Sequence, residues 1–213
     1  MNELLFKPKK FDLPGRLILI PRFWHREYYA ALKEEAATTL EILQCEISIF
    51  ADFTLIEGFL GYPHILTILE FIENVREKEI FFLGTAGSLN EQIDHPMPLQ
   101  VTEIYSSAIL KHFAAEESFQ LKPFAACDFR KAAGVTVDII QRETLSWLKE
   151  QKSKGLDFVE MELFPLRVYL GKPFYAIVVT SDILKETGGE FFLNKKLLKK
   201  EFVKAYEQIS TSS

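Results

Sequence analysis

Three short stretches hold the residues best able to do chemistry. Val159-Glu160-Met161-Glu162 places two carboxyl groups at the end of an apolar segment. About twenty residues on, the run Phe174 to Thr180 leads straight into Ser181-Asp182. That run is short, β-branched and unbroken, as expected of a buried strand whose C-terminal end delivers a functional side chain. Upstream, Ile80-Phe81-Phe82-Leu83 runs into Gly84-Thr85-Ala86-Gly87-Ser88, read as a strand entering a small-residue loop where a ligand can approach the backbone. Positioned carboxyl groups suit proton transfer and the gripping of hydroxyls. Each feature also has a plain structural reading. Glu160 and Glu162 would be favourable near a helix N-terminus, Asp182 would serve as a cap or turn residue, and the glycines would serve a tight turn.

The elements that must position these residues alternate between strands and helices. Residues 1–15, with Pro8 and Pro14, read as an irregular N-terminal arm, and 16–213 as one domain. Strands are expected at Leu17–Ile20, Ile42–Ala51, Thr54–Glu57, Ile80–Leu83, Ala133–Val137, Phe158–Met161 and Phe174–Thr180. Helices are expected over 27–37, 64–76, 144–153, 166–170 and 194–209, the second with Ile65, Ile68, Leu69 and Ile72 on one stripe. Such alternation implies a largely parallel sheet covered on both faces. With 213 residues, 48% of them hydrophobic and nineteen Phe, the chain can bury a large core. A net charge of −5 argues against a nucleic-acid partner. No apolar stretch reaches the roughly 18 uncharged residues of a membrane span. The start of the chain lacks a leader-like apolar run, so the expected setting is cytoplasmic. Cys45 and Cys127 have no metal-ligand spacing and read as core thiols. His25, His64, His95 and His112 read as structural or solvated, and no metal site is expected. The lysines at 195, 196, 199 and 200 read as the solvated face of the last helix.

Taken in order, Gly58…Gly61, Gly84-Thr85-Ala86-Gly87, Glu160-Met161-Glu162 and Ser181-Asp182 resemble the nucleoside phosphorylase and nucleosidase superfamily, and the likeness runs from about Leu17 to Ile209. It implies an α/β fold, a three-layer α/β/α sandwich around a mixed, partly barrel-like sheet. It also implies cleavage of the N-ribosidic bond of a purine-type nucleoside. Breaking that bond builds positive charge on the sugar and negative charge on the leaving base. By the resemblance, Asp182 protonates the base at N7 as general acid, a role that favours purines over pyrimidines. Glu162 holds the vicinal ribose hydroxyls and steadies the developing cation, with Met161 against the sugar. Glu160, Ser181, Ile139, Ile140, Gly84, Thr85, Ala86 and Gly87 complete the substrate-binding set, Ile139 and Ile140 as an apolar wall for the base.

Departures from the family pattern bear on the subclass. Phosphorylases of the superfamily carry an arginine before the glycine stretch, where this chain has Phe81-Phe82-Leu83. Arg22 or Arg26 would have to replace that anion clamp. The nucleosidase branch instead uses an early glutamate to activate water, and Glu27 lies near the right place. Hydrolysis is therefore favoured over phosphorolysis. No cofactor is expected, and phosphate is a co-substrate only for a phosphorylase. Leu163-Phe164-Pro165 replaces the small residues usual after the second glutamate and is expected to reshape the sugar wall. A non-catalytic nucleoside-binding paralogue stays open, marked by a pocket filled with Phe164, Phe82 or Trp24. The resemblance also implies a homo-oligomer, with a dimer favoured.

Overall fold

Alternating sidedness builds the core. In β1 (Arg16–Pro21), Leu17 and Leu19 face one hydrophobic cluster and Ile18 and Ile20 face another. The same alternation separates Ile80 and Phe82 from Phe81 and Leu83 in β5 (Glu79–Ser88), and Ala176 and Val178 from Ile177 and Val179 in β10 (Tyr175–Lys185). Side chains on a strand point to opposite faces in turn, so an unbroken apolar run means a strand buried on both sides. The structure, a computed structural model, describes residues 9–21, 35–93, 96–107, 114–138, 144–186, 188–191 and 195–211.

Among these residues the remaining strands are β2 (Thr38–Ile42), β3 (Cys45–Ile49), β4 (Thr54–Phe59), β6 (Pro98–Ser106), β7 (Ser118–Gln120), β8 (Arg130–Thr136), β9 (Phe158–Glu160) and β11 (Gly188–Phe191). The helices are α1 (Gly61–Leu69), α2 (Leu145–Ser153), α3 (Leu163–Leu170) and α4 (Lys195–Thr211). All eleven strands form one sheet in the order β11-β10-β6-β8-β9-β5-β1-β4-β3-β2, with β7 beside β6. An additional β10–β5 pairing closes β5, β10, β6, β8 and β9 into a ring, and β1, β4, β3 and β2 extend from it as an open wing. Helices α1 and α3 contribute to the cluster on one face, α4 to that on the other, and Leu148 of α2 to a third cluster with Val135, Val137 and Val159. The fold is thus the layered α/β arrangement with a mixed, partly barrel-like sheet.

Several elements differ from their sequence-based expectation. The glycine stretch is not a loop. Strand β5 continues through Gly84 to Ser88, because these glycines answer to crowding: a Cβ at Gly84 would lie 2.5 Å from the Phe82 ring, and one at Gly87 2.8 Å from Asp182 Oδ2. Asp182 likewise lies inside β10, not beyond it. The expected strand 42–51 is instead the second half of a hairpin, turned by Leu43 and Gln44 at positive φ. Neither residue is a usual turn former, so the turn gave no signal. Helix α1 starts three residues earlier than expected and stops at Leu69. Beyond it the backbone pairs with the arm: Phe11 N–H donates to Phe71 O (2.8 Å) and Glu73 N–H to Phe11 O (2.9 Å). Helix α3 begins at Leu163, with Pro165 in the first turn, where no intrahelical N–H bond is lost. The sheet is mixed: β1–β4, β1–β5, β5–β10, β6–β8 and β8–β9 are parallel, while β5–β9, β6–β10 and the edge pairings run antiparallel. Of the expected helix over 27–37, residues 35–37 are non-helical and the rest lies outside the described residues.

Candidate active site

Two groups of functional side chains meet across the end of β5. On one side, β10 pairs with β5 up to Thr180 opposite Ala86, skips Ser181, and places Asp182 opposite Gly87. The bulge seats the Asp182 carboxyl against the bare backbone of Gly87. Ser181 Oγ donates to Asp182 Oδ1 (2.7 Å) and also lies 3.4 Å from Ala86 O. Burial raises the Asp182 pKa above the ordinary carboxylate range, and the Ser181 bond pulls it back. A carboxyl group in such a place is suited to hold and give up a proton.

On the other side, Gly87 faces Val159 of β9, and a Cβ at Gly87 would also crowd Val159 Cγ1 at 3.2 Å. Val159 leads into Glu160-Met161-Glu162, the corner where β9 becomes α3. Glu160 is buried at 4% exposure. Its Oε2 accepts the N–H groups of Glu162 (2.6 Å) and Leu163 (2.8 Å), and its Oε1 accepts the hydroxyl of Thr136. That is the helix-terminus arrangement favoured for a carboxylate. Glu162, at 7% exposure, reaches away from its own helix and accepts the N–H of Gly61 at the start of α1 (3.0 Å). Gly61 sits at φ +67° after the Gly58-Phe59-Leu60 bend, where Gly58 is at φ +98°, conformations that side chains disfavour. One buried carboxylate therefore joins the first turns of two helices.

The two glutamates titrate as a pair. Burial first, and the Glu162 charge second, push Glu160 up to about 8 against its three donors. Burial pushes Glu162 up to about 7, opposed by the Gly61 N–H.

Other expected residues sort by location. Met161, Ser181 and Thr85 are half-buried, and Ala86 is buried beside them. Gly84 sits deeper, opposite Val178 and over the Phe82 ring. Glu27, Ile139 and Ile140 lie outside the described residues, as do Arg22, Trp24 and Arg26. Leu163-Phe164-Pro165, expected to reshape a sugar wall, turn inward. All three side chains are buried, and Leu163 and Phe164 join the core cluster, with the Phe164 ring 5.1 Å from that of Phe119. Phe82 is likewise core, 6.5 Å from Phe59. Thr136 was missed in the sequence; its signal was its place as the last residue of β8, in register with Glu160.

Among the described residues no group of His, Cys, Asp and Glu is arranged to hold a metal ion, and no helix is long and apolar enough to cross a membrane. His64 is structural. Its Nδ1 accepts Leu60 N–H (3.2 Å) and its Nε2 donates to Leu43 O (2.9 Å), tying the β2–β3 turn to the start of α1. Cys45 lies 3.4 Å from the same ring, and burial pushes its thiol up to about 11, which leaves it inert.

No family model matches the sequence, and no curated protein matches it. Solved structures do match. A purine nucleoside phosphorylase from Toxoplasma gondii, in complex with immucillin-H, superposes with a TM-score of 0.73 at 18% identity, covering 98% of this chain and 96% of that one. The chain has the nucleoside phosphorylase fold. A 5′-methylthioadenosine/S-adenosyl homocysteine nucleosidase from Campylobacter jejuni gives 0.69 at 13% identity, over 92% of this chain and 96% of its own. A nucleosidase of the same kind from Chlamydia trachomatis gives 0.60 at 18% identity, over 93% and 98%. In this nucleoside phosphorylase fold the Asp182 bulge and the Glu160–Glu162 corner are neighbours across β5, so pieces distant in sequence share one end of one strand.

Proposed function

We propose that the protein cleaves the N-ribosidic bond of a purine-type nucleoside, and that it does so by hydrolysis. One observation carries this reading: Asp182 is seated over Gly87, directly across β5 from the strand that leads into Glu160-Met161-Glu162. A carboxyl group held toward its protonated form can donate to purine N7 as the C–N bond lengthens. The Glu162 carboxylate, with Oε1 fixed by Gly61 N–H, can accept the ribose 2′ and 3′ hydroxyls and stabilise positive charge developing on the sugar. Met161 packs against the sugar, Ser181 orients Asp182, and Thr85, Ala86 and Gly87 form the floor. Glu27 is assigned to activating water, and Ile139 and Ile140 to the wall beside the base. Hydrolysis is favoured because Phe81, Phe82 and Leu83, where a phosphate-holding arginine is otherwise expected, are buried apolar side chains. A homodimer is part of the proposal.

Release of free base from a panel of purine nucleosides, followed by chromatography with and without phosphate, tests the reading. Base and free ribose formed without phosphate are the expected result. Strict phosphate dependence would move the assignment to phosphorolysis. No release in either buffer, and no thermal shift with any nucleoside, would overturn it.

A further inference from the structure

Resting on the nucleoside-cleaving reading, we propose that Thr136 is a positioning residue that acts through Glu160 to aim Glu162 at the ribose. Thr136 is fully buried at the end of β8. Its hydroxyl donates to Glu160 Oε1 and accepts Phe164 N–H at 3.0 Å. Glu160 Oε2 takes the N–H groups of Glu162 and Leu163. Three consecutive N–H groups at the start of α3, those of Glu162, Leu163 and Phe164, are thus held by one two-residue unit. A helix N-terminus ordinarily leaves these donors for water, a cap or an anionic ligand. Here the protein's own Glu160 fills the position, with the β8 hydroxyl locking it from behind.

The consequence falls on Glu162. Its backbone, at φ −128° and ψ −36°, is neither helical nor extended and is pinned at its own N–H and at the next. That pinning sets the direction of its side chain, which leaves α3 and meets Gly61 N–H through Oε1. Glu160, with both oxygens engaged inside the protein, supports this geometry without touching the sugar. Thr136 needs both a donor and an acceptor: valine matches its shape and has neither, and serine has both.

The test compares Thr136→Val, Thr136→Ser, Glu160→Gln and Glu162→Gln in the full chain, in steady-state nucleoside cleavage and in thermal-shift binding of a nucleoside against its free base. Thr136→Val is expected to raise KM about tenfold or more with a smaller change in kcat, and to weaken nucleoside binding but not base binding. Thr136→Ser should recover KM to within about threefold of the parent. Glutamine at 160 keeps an acceptor for the two N–H groups, so Glu160→Gln should lose much less than Glu162→Gln. This arm decides the matter even if the valine variant fails to fold. A folded Thr136→Val with parental KM, or a Glu160→Gln as damaged as Glu162→Gln, overturns the proposal and leaves the function standing. A parent chain that neither cleaves nor binds any purine nucleoside overturns the functional reading, and this proposal with it.

Discussion

The closed ring and the open wing of the sheet treat their buried polar groups in opposite ways. In the ring most are tied to another element, Ser88 excepted, whose hydroxyl bonds the backbone of Asn90 two residues on. Gln100 Nε2 donates to Phe124 O (2.7 Å), Thr180 Oγ1 accepts Met97 N–H (2.9 Å), and Thr136 and Glu160 fasten α3. In the wing, the Ser48 and Thr54 hydroxyls are fully buried yet make no hydrogen bond among the described residues. Leaving a buried hydroxyl unsatisfied costs about 1–3 kcal/mol, so a domain tolerates it only where other packing compensates. The wing is therefore held by apolar contact, with Ile47, Ile56 and Phe59 in the main core, while the ring spends its polar groups on fixing directions. Stability and geometry are assigned to different parts of one sheet.

That division can be broken at four points. The largest effect is expected in the ring, where Asp182→Asn should cut kcat by about 10²–10⁴-fold with nucleoside binding retained, the range for a lost general acid. Stopped base-release assays against ligand-induced thermal shift would show it. Next comes the wing: Ile56→Ala should cost about 2–5 kcal/mol in denaturant unfolding while activity per folded molecule stays near the parent's. A large kinetic defect there would erase the distinction between wing and ring.

A smaller effect concerns pH. Glu160 and Glu162 have folded pKa values raised to about 8 and about 7, well above an unfolded glutamate near 4.3. A carboxyl raised on folding binds more protons in the native state, so stability is greatest below about pH 4.3 as far as this pair is concerned, and falls as pH rises through 7 and 8. Glu160→Gln cannot ionise at that position. Its melting temperature should therefore gain on the parent's steadily between about pH 5 and pH 9. A constant difference across that range would mean that the pair does not titrate as described. The smallest effect is Thr54→Val, which removes one of the wing's two hydroxyls that make no hydrogen bond among the described residues, at nearly constant shape, and should be neutral or stabilising by about 1 kcal/mol. Destabilisation on calorimetry would show that the wing, too, depends on directed polar bonds.

Much of this was legible in the sequence because buried strands announce themselves. The runs at 17–20, 80–83 and 174–180 all became central strands, Glu160 and Asp182 lie on the two strands that flank β5, and Glu162 stands at the start of α3. What could not be read were features set by tertiary neighbours. Glycine at 84 and 87 is ambiguous between a turn and a crowded strand, and only the Phe82 ring and the Asp182 carboxyl decide for the strand. The Leu43-Gln44 turn carries no turn chemistry, and it is His64, twenty-one residues from Leu43, that secures it. Phe164 looked able to intrude on a pocket, because nothing local says which face of a helix its side chain will take. The two acids of the corner also looked equivalent. Only the three-dimensional arrangement shows that Glu160 closes its own helix while Glu162 reaches for another.

The skipped residue in β10 has a consequence for how such a site can arise or vanish. Along a regular strand, neighbours take opposite sides, and Ser181 would fall opposite Gly87 while Asp182 passed on to Ser88 and the other side of the wall. The bulge is a parity switch. It lets an acid change sides without any change in the apolar residues that precede it. A single-codon insertion or deletion upstream in β10 is therefore enough to present the carboxyl to the site or to hide it. Loss of activity by length change, with every functional residue still present in the sequence, is a route that comparing residue types alone would not reveal.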